Sequence, residues 1–151
     1  MKFNFFTEFQ ETEKLAFIMM KIPDKSFSAE QIETNENILN AIQDVLQKND
    51  FIGVRGDYKD YADDLLPNIM TYMEGCRFGI AVFDEIGEYN PNVSFEAGYM
   101  LVSGKQVCFL KDKEVERLHA DIISKLYREF DSREPYETIE PELEEWLNTK
   151  I

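Results

Sequence analysis

One carboxylate stands where a carboxylate is costly. Glu96 lies within Asn90-Pro91-Asn92-Val93-Ser94-Phe95-Glu96-Ala97-Gly98-Tyr99-Met100, an otherwise apolar run of helical length. A glutamate near a helix start can be a surface residue that gains a few tenths of a kcal/mol from the helix dipole. Here Val93, Phe95, Ala97, Tyr99, Met100, Leu101 and Val102 leave no clearly polar face, so the side chain is expected to point into a cavity. Burial raises the pKa of a carboxyl group and suits it to proton transfer or nucleophilic work. The residues that could surround it are Lys21, Asp84, Asn90 and Asn92, with Arg55 and Asp57 either holding a ligand or pairing with each other.

The elements that must bring these residues together follow from apolar periodicity. Leu15 to Ile22 is a continuous apolar run broken only at Lys21, as expected of a strand buried on both faces and ended by Pro23. Ser28 and Gln31 form a capping box for a helix over about 28–48, with Ile32, Ile38, Leu39, Ile42, Val45 and Leu46 at helical spacing. Phe51–Arg55 reads as a second strand. Tyr61 to Glu74 reads as a second helix, with Leu65, Leu66, Ile69, Met70 and Met73 inward and Gly75 closing it. Phe78–Phe83 is a third strand ending at Asp84. The Glu96 helix follows, capped by Asn90, with Pro91 first and Gly104 at its far end. Gln106–Leu110 is a fourth strand, 111–114 a charged loop, and 118–125 a helical turn in which Asp121 is a cap. Leu126–Phe130 has the mixed pattern of an edge strand, and Pro141 is read as the start of a last helix burying Leu143, Trp146 and Leu147.

This alternation indicates an α/β fold: a flavodoxin-like, doubly wound, five-stranded parallel sheet of order 2-1-3-4-5 between two helical layers. Residues 1–14 read as a lead-in with four phenylalanines, and 15–151 as a single domain. Ligands of such sheets bind outside the C-terminal strand ends where the strand order switches, here between the first and third strands. Lys21, Asp84, Asn90, Asn92 and Glu96 all fall there.

Composition narrows the partners. Thirty acidic against sixteen basic residues give a formal charge of -14, which disfavours nucleic-acid backbones and anionic membranes. No apolar run has the roughly 20 residues of a membrane span, and no signal segment opens the chain, so a cytoplasmic protein is expected. Cys76 and Cys108 lack metal spacing and read as reduced core residues, while a single histidine, His119, makes a histidine metal site hard to build. No phosphate-binding glycine motif occurs. A phosphoacceptor reading of Asp84 fails because Met19 and Met20 stand where an acidic pair is needed. Tyr58 and Tyr61 could stack on a base or simply pack.

The Asn90–Tyr99 run, followed by Gly104-Lys105 and an apolar strand, resembles a superfamily that joins nucleoside 2-deoxyribosyltransferases to the TIR-like nucleotide-binding domains of bacterial defence systems. The opening Phe17–Met20, the Arg55-Gly56-Asp57 turn, Asn68-Ile69 and Asp121 ahead of Tyr127 extend the resemblance over about 15–131. It implies that Glu96 attacks or stabilises the anomeric carbon as an N-glycosidic bond breaks. The transferases usually carry aspartate at the position of Asn90, which favours the TIR-like branch and NAD as substrate rather than cofactor. NAD hydrolysis or cyclisation in anti-phage defence is then the expected activity, with assembly into a homo-oligomer on activation. A deoxyribosyltransferase and a non-catalytic nucleotide-binding module are the alternatives.

Overall fold

Two segments dominate the interior because they offer the solvent almost nothing polar. In the computed structural model, which describes residues 12–57, 65–89, 91–116 and 126–151, these segments become the central strands β1 (Leu15–Met19) and β3 (Phe78–Phe83). Around them the chain forms α1 (Ala29–Lys48), β2 (Ile52–Arg55), α2 (Leu65–Gly75), α3 (Asn92–Val102), β4 (Val107–Asp112), β5 (Tyr127–Phe130) and α4 (Pro135–Lys150). The five strands are all parallel in the order β2-β1-β3-β4-β5, with Phe17 opposite both Val54 and Gly79, and Phe109 opposite Tyr127. This is the flavodoxin-like sheet expected from the sequence.

Strand alternation divides the core into two layers. Ala16, Ile18, Phe78, Ile80, Val82, Cys108 and Leu110 meet α1 and α4 through Ile38, Ile42, Leu46, Ile139, Leu143 and Trp146. Leu15, Phe17, Met19, Ala81 and Phe109 face the other way, against Tyr72 and Met73 of α2 and Val93, Ala97 and Met100 of α3. Tyr72, fully buried, stacks on Phe17 with ring centroids 5.4 Å apart. Both cysteines are free and buried.

Local signals set most of the boundaries. Ser28 caps α1: the Gln31 amide donates to its hydroxyl at 3.1 Å, and the Gln31 side chain accepts from the Ser28 amide at 3.0 Å. Gly104 takes φ +83, and bonds from Gly104 to Leu101 and from Lys105 to Met100, each 3.0 Å, close α3 in a Schellman turn that a side chain would strain.

Several expectations need correction. β1 ends at Met19 instead of Ile22, because Lys21 turns out of the sheet to bond the loop after β3 and Ile22 is exposed. Pro91 precedes α3 rather than opening it; its fixed φ of -77 is already helical, so its carbonyl accepts from Phe95, and Pro91 at the cap position offers no side-chain hydrogen bond. Lys111 and Asp112 belong to β4 and are buried, not part of a charged loop, because backbone and side-chain partners satisfy both. The last helix starts at Pro135; Pro141 sits inside it on the exposed face, where the missing amide costs one hydrogen bond while Ile139 and Leu143 keep the inner face packed. Ile32 of α1 is exposed. Residues 1–11, the start expected for the second helix at Tyr61, Tyr58, Asn90, and the 118–125 turn with His119 and Asp121 lie outside the described residues.

Candidate active site

The C-terminal edge of the sheet gathers polar groups from four strands. Lys21 follows β1 by two residues, Arg55 ends β2, Asp84 follows β3, and Asp112 ends β4. The Lys21 ammonium donates to the carbonyls of Ile86 (2.7 Å) and Asp84 (3.1 Å) and lies 3.4 Å from the Asp84 carboxylate. Asp84 also accepts from the Ile86 amide at 3.0 Å, while its second oxygen, Oδ2, is buried without a hydrogen-bond partner among the described residues. Burial pushes the Asp84 pKa up, and Lys21 and the Ile86 amide oppose that shift only in part.

Arg55 is held from two sides. It forms two 2.7 Å bonds to the carboxylate of Asp57, and its other terminal nitrogen donates to Asn35 at 3.2 Å. Asn35, fully buried on α1, donates in turn to the Lys21 carbonyl at 2.9 Å. The predicted residues Lys21, Arg55, Asp57 and Asp84 therefore form one connected network, with the Arg55–Asp57 pairing as one of the two sequence readings allowed. Asn35 was missed in the sequence. Its signal was its position three residues before Ile38 and seven before Ile42, a polar residue on an apolar stripe.

Glu96 stands apart from this network. Val93, Ala97 and Met100 define the buried stripe of α3, and Glu96, three residues from Val93 and four from Met100, lies on its flank. Tyr99, on the same flank, extends its hydroxyl to 3.4 Å from Glu74 of α2, so Glu96 borders the cleft between the two helices, one turn nearer the sheet's C-terminal edge. The spacing of this cleft is fixed. Lys105 donates to the carbonyls of Met73, Glu74 and Cys76 at the end of α2. Gly79 lets α3 approach β3, since a Cβ there would meet Met19 Cε at 2.5 Å and Met100 Sδ at 2.7 Å.

The carboxylate of Glu96 is part-buried and finds no cation or hydrogen-bond donor among the described residues. Burial alone raises its pKa from 4.5 to about 7. Such a group is poised to give up or take a proton near neutrality, or to meet a positive charge that arrives with a ligand. Asn92 is the first residue of α3 and Asn68 is buried on α2, both at the same edge. Among the described residues no cluster of three metal-ligating side chains occurs, and no helix is long and apolar enough to cross a membrane.

No family model matches the chain, and no curated protein matches it either. A solved structure shares its fold: the CMP N-glycosidase BcmB of Clostridium botulinum, with a TM-score of 0.56 and 16% identity over 91% of this chain and 100% of that one.

Proposed function

We propose that this chain hydrolyses the N-glycosidic bond of a nucleotide, with Glu96 facing the anomeric carbon. The observation that supports this is the isolation of Glu96: a carboxylate raised by burial to about 7, unpaired among the described residues, at the ligand-binding edge of the sheet. Breaking a C1′–N bond develops positive charge on the sugar, which an ionised carboxylate about 3 Å away stabilises or captures covalently. An acid without its own cation is matched to that charge, because its attraction is strongest when the transition state supplies the missing partner. The shared fold with a protein named as a CMP N-glycosidase supports the same bond class.

NAD is the first substrate. Its nicotinamide leaves as a neutral group without protonation, so one carboxylate suffices, and the resemblance to defence domains gives NAD consumption during phage infection as the setting. A nucleoside monophosphate is the second reading. It is favoured by the shared fold with a protein named as a CMP N-glycosidase. A cytosine leaving group needs a proton, and a Glu96 that titrates near 7 can supply it.

Parallel incubation with NAD, with CMP, and with deoxycytidine plus adenine separates these readings, with Glu96→Gln as the control. Nicotinamide release selects the first, cytosine with ribose 5-phosphate the second, and base exchange a deoxyribosyltransferase. Ligand binding without any product removes the enzymatic reading. The pH profile of kcat/KM adds a sign: it rises through about 7 if Glu96 must be ionised and falls through the same range if Glu96 is the acid.

A further inference from the structure

Three strand ends lie side by side on the α1 side of the sheet, and their buried charges do not balance. Phe83 of β3 is opposite Lys111 of β4, so the next residues, Asp84 and Asp112, are neighbours on adjacent chains about 4.8 Å apart. Both turn toward α1 and α4, since Val82 and Leu110, two residues earlier, belong to that layer. The Asp84 side chain is fully buried, and Asp112 is 2% exposed. Lys21, after β1, is the cation that meets them, 3.4 Å from Asp84 Oδ1. Asp112 Oδ1 accepts from the Ser132 amide at 3.1 Å.

The charges around this pair are committed elsewhere. Lys111 turns its ammonium to the carbonyls of Asp112 and Val115 and to the Glu129 carboxylate. Lys113 pairs with Asp131, Arg133 with Glu114, and Arg55 with Asp57. From α1 comes the neutral Asn35, bonded to Lys21 and Arg55, while Ile38 of α1 and Ile139 of α4 are apolar members of the same layer. Two buried carboxylates therefore share one ammonium, and Asp84 Oδ2 has no donor among the described residues.

We propose that Asp84 and Asp112 hold one proton between them, carried on Asp84 Oδ2 and donated to the Asp112 carboxylate. That proton gives the orphaned oxygen a partner, leaves the pair with a single negative charge, and matches that charge to Lys21. Burial raises the Asp84 pKa, and the neighbouring Asp112 adds to the rise against the opposing pull of Lys21 and the Ile86 amide. Asp84 also opens the segment that leads from β3 to the Glu96 helix, and the Ile86 amide and the Lys21 ammonium tie that segment down at Asp84. The pair is a pH-sensitive fastening of this segment. When the proton leaves, two adjacent charges face one ammonium and the ends of β3 and β4 repel. The folded chain keeps a proton that the unfolded chain loses near about pH 4, so the fastening weakens as pH rises through the titration of the pair.

Carbon-13 NMR of the full chain, labelled at the aspartate side-chain carboxyl carbons and titrated from about pH 5 to 10, tests this and leaves Glu96 silent. In the wild type one aspartate carboxyl should remain protonated at about pH 7, and the Ile86 amide proton, which reports on Asp84, should move with the same midpoint. Asp84→Asn and Asp112→Asn should each remove the protonated resonance, because each leaves one carboxylate beside Lys21, and the asparagine amide can donate in place of the shared proton. In Asp112→Asn the Ile86 midpoint should also fall by at least about one pH unit. Circular dichroism checks that each variant is folded, and the wild-type titration needs neither. A wild type with all its aspartates ionised at about pH 7 overturns the proposal. So does a protonated resonance that survives either substitution in a folded protein, since one carboxyl would then hold its proton without the other.

Discussion

Glu96→Gln separates the cost of holding a lone carboxylate from its use. In the folded chain the Glu96 pKa lies near 7, against 4.5 for an ordinary glutamate. Below the lower value both folded and unfolded chains carry the proton, and the residue adds no pH dependence. Between the two values the folded chain binds more protons than the unfolded one, so stability falls as pH rises, and above about 7 the loss is complete. At about 1.4 kcal/mol per pH unit the whole gap corresponds to about 3 kcal/mol. Glu96 keeps some contact with water, which screens the charge, so roughly half of that is expected. Urea denaturation of both proteins between pH 4.5 and 8.5 should show Glu96→Gln gaining about 1.5 kcal/mol on the wild type across the range, or roughly 3–6 °C in Tm at the alkaline end. The same variant should lose at least about 100-fold in turnover, because the amide keeps the volume and loses the charge. A stability difference that stays flat with pH refutes the buried, unpaired carboxylate. Full turnover in a folded Glu96→Gln protein refutes its role in the reaction.

Lys21→Met removes the cation beside the fully buried Asp84 side chain and should destabilise the fold by about 3–5 kcal/mol in denaturant, with Lys21→Met/Asp84→Asn regaining much of the loss. Ser28→Ala removes the hydroxyl that accepts from the Gln31 amide at the start of α1 and should cost about 1 kcal/mol by the same measurement. The thiols of Cys76 and Cys108 are buried, and burial pushes the Cys76 pKa up to about 12; a thiol reagent at pH 8 should leave both untouched in the native protein and modify two per chain in denaturant.

The strands and helices of the sheet were legible in the chain because each rests on information carried within a segment, and their alternation and number gave the order. An unbroken apolar run such as Phe78–Phe83 has to lie between two layers, the Ser28–Gln31 spacing starts a helix by its own hydrogen bonds, and Gly104 stops one by its backbone freedom. Glu96 stood out as a charge in an apolar run expected to be buried, but the helix buries Val93, Ala97 and Met100 of that run and leaves Phe95, Leu101 and Val102 exposed. Where the chain read Lys21 as a pocket residue and Arg55 as a group with two options, only the fold supplied their partners. Lys21 meets Asp84 across 63 positions, and Arg55 meets Asn35 across 20. Pro141 misled because its local chemistry favours a helix start, yet the apolar face running from Pro135 to Leu147 outweighs one lost hydrogen bond. Lys111 and Asp112 misled in the opposite sense, since charge alone suggested a loop, while carbonyls and amides brought in by the neighbouring turns made burial affordable. Periodicity records how much of a segment is buried; the identity of a polar group's partner depends on which strand ends the topology sets side by side, and that was decided only in three dimensions.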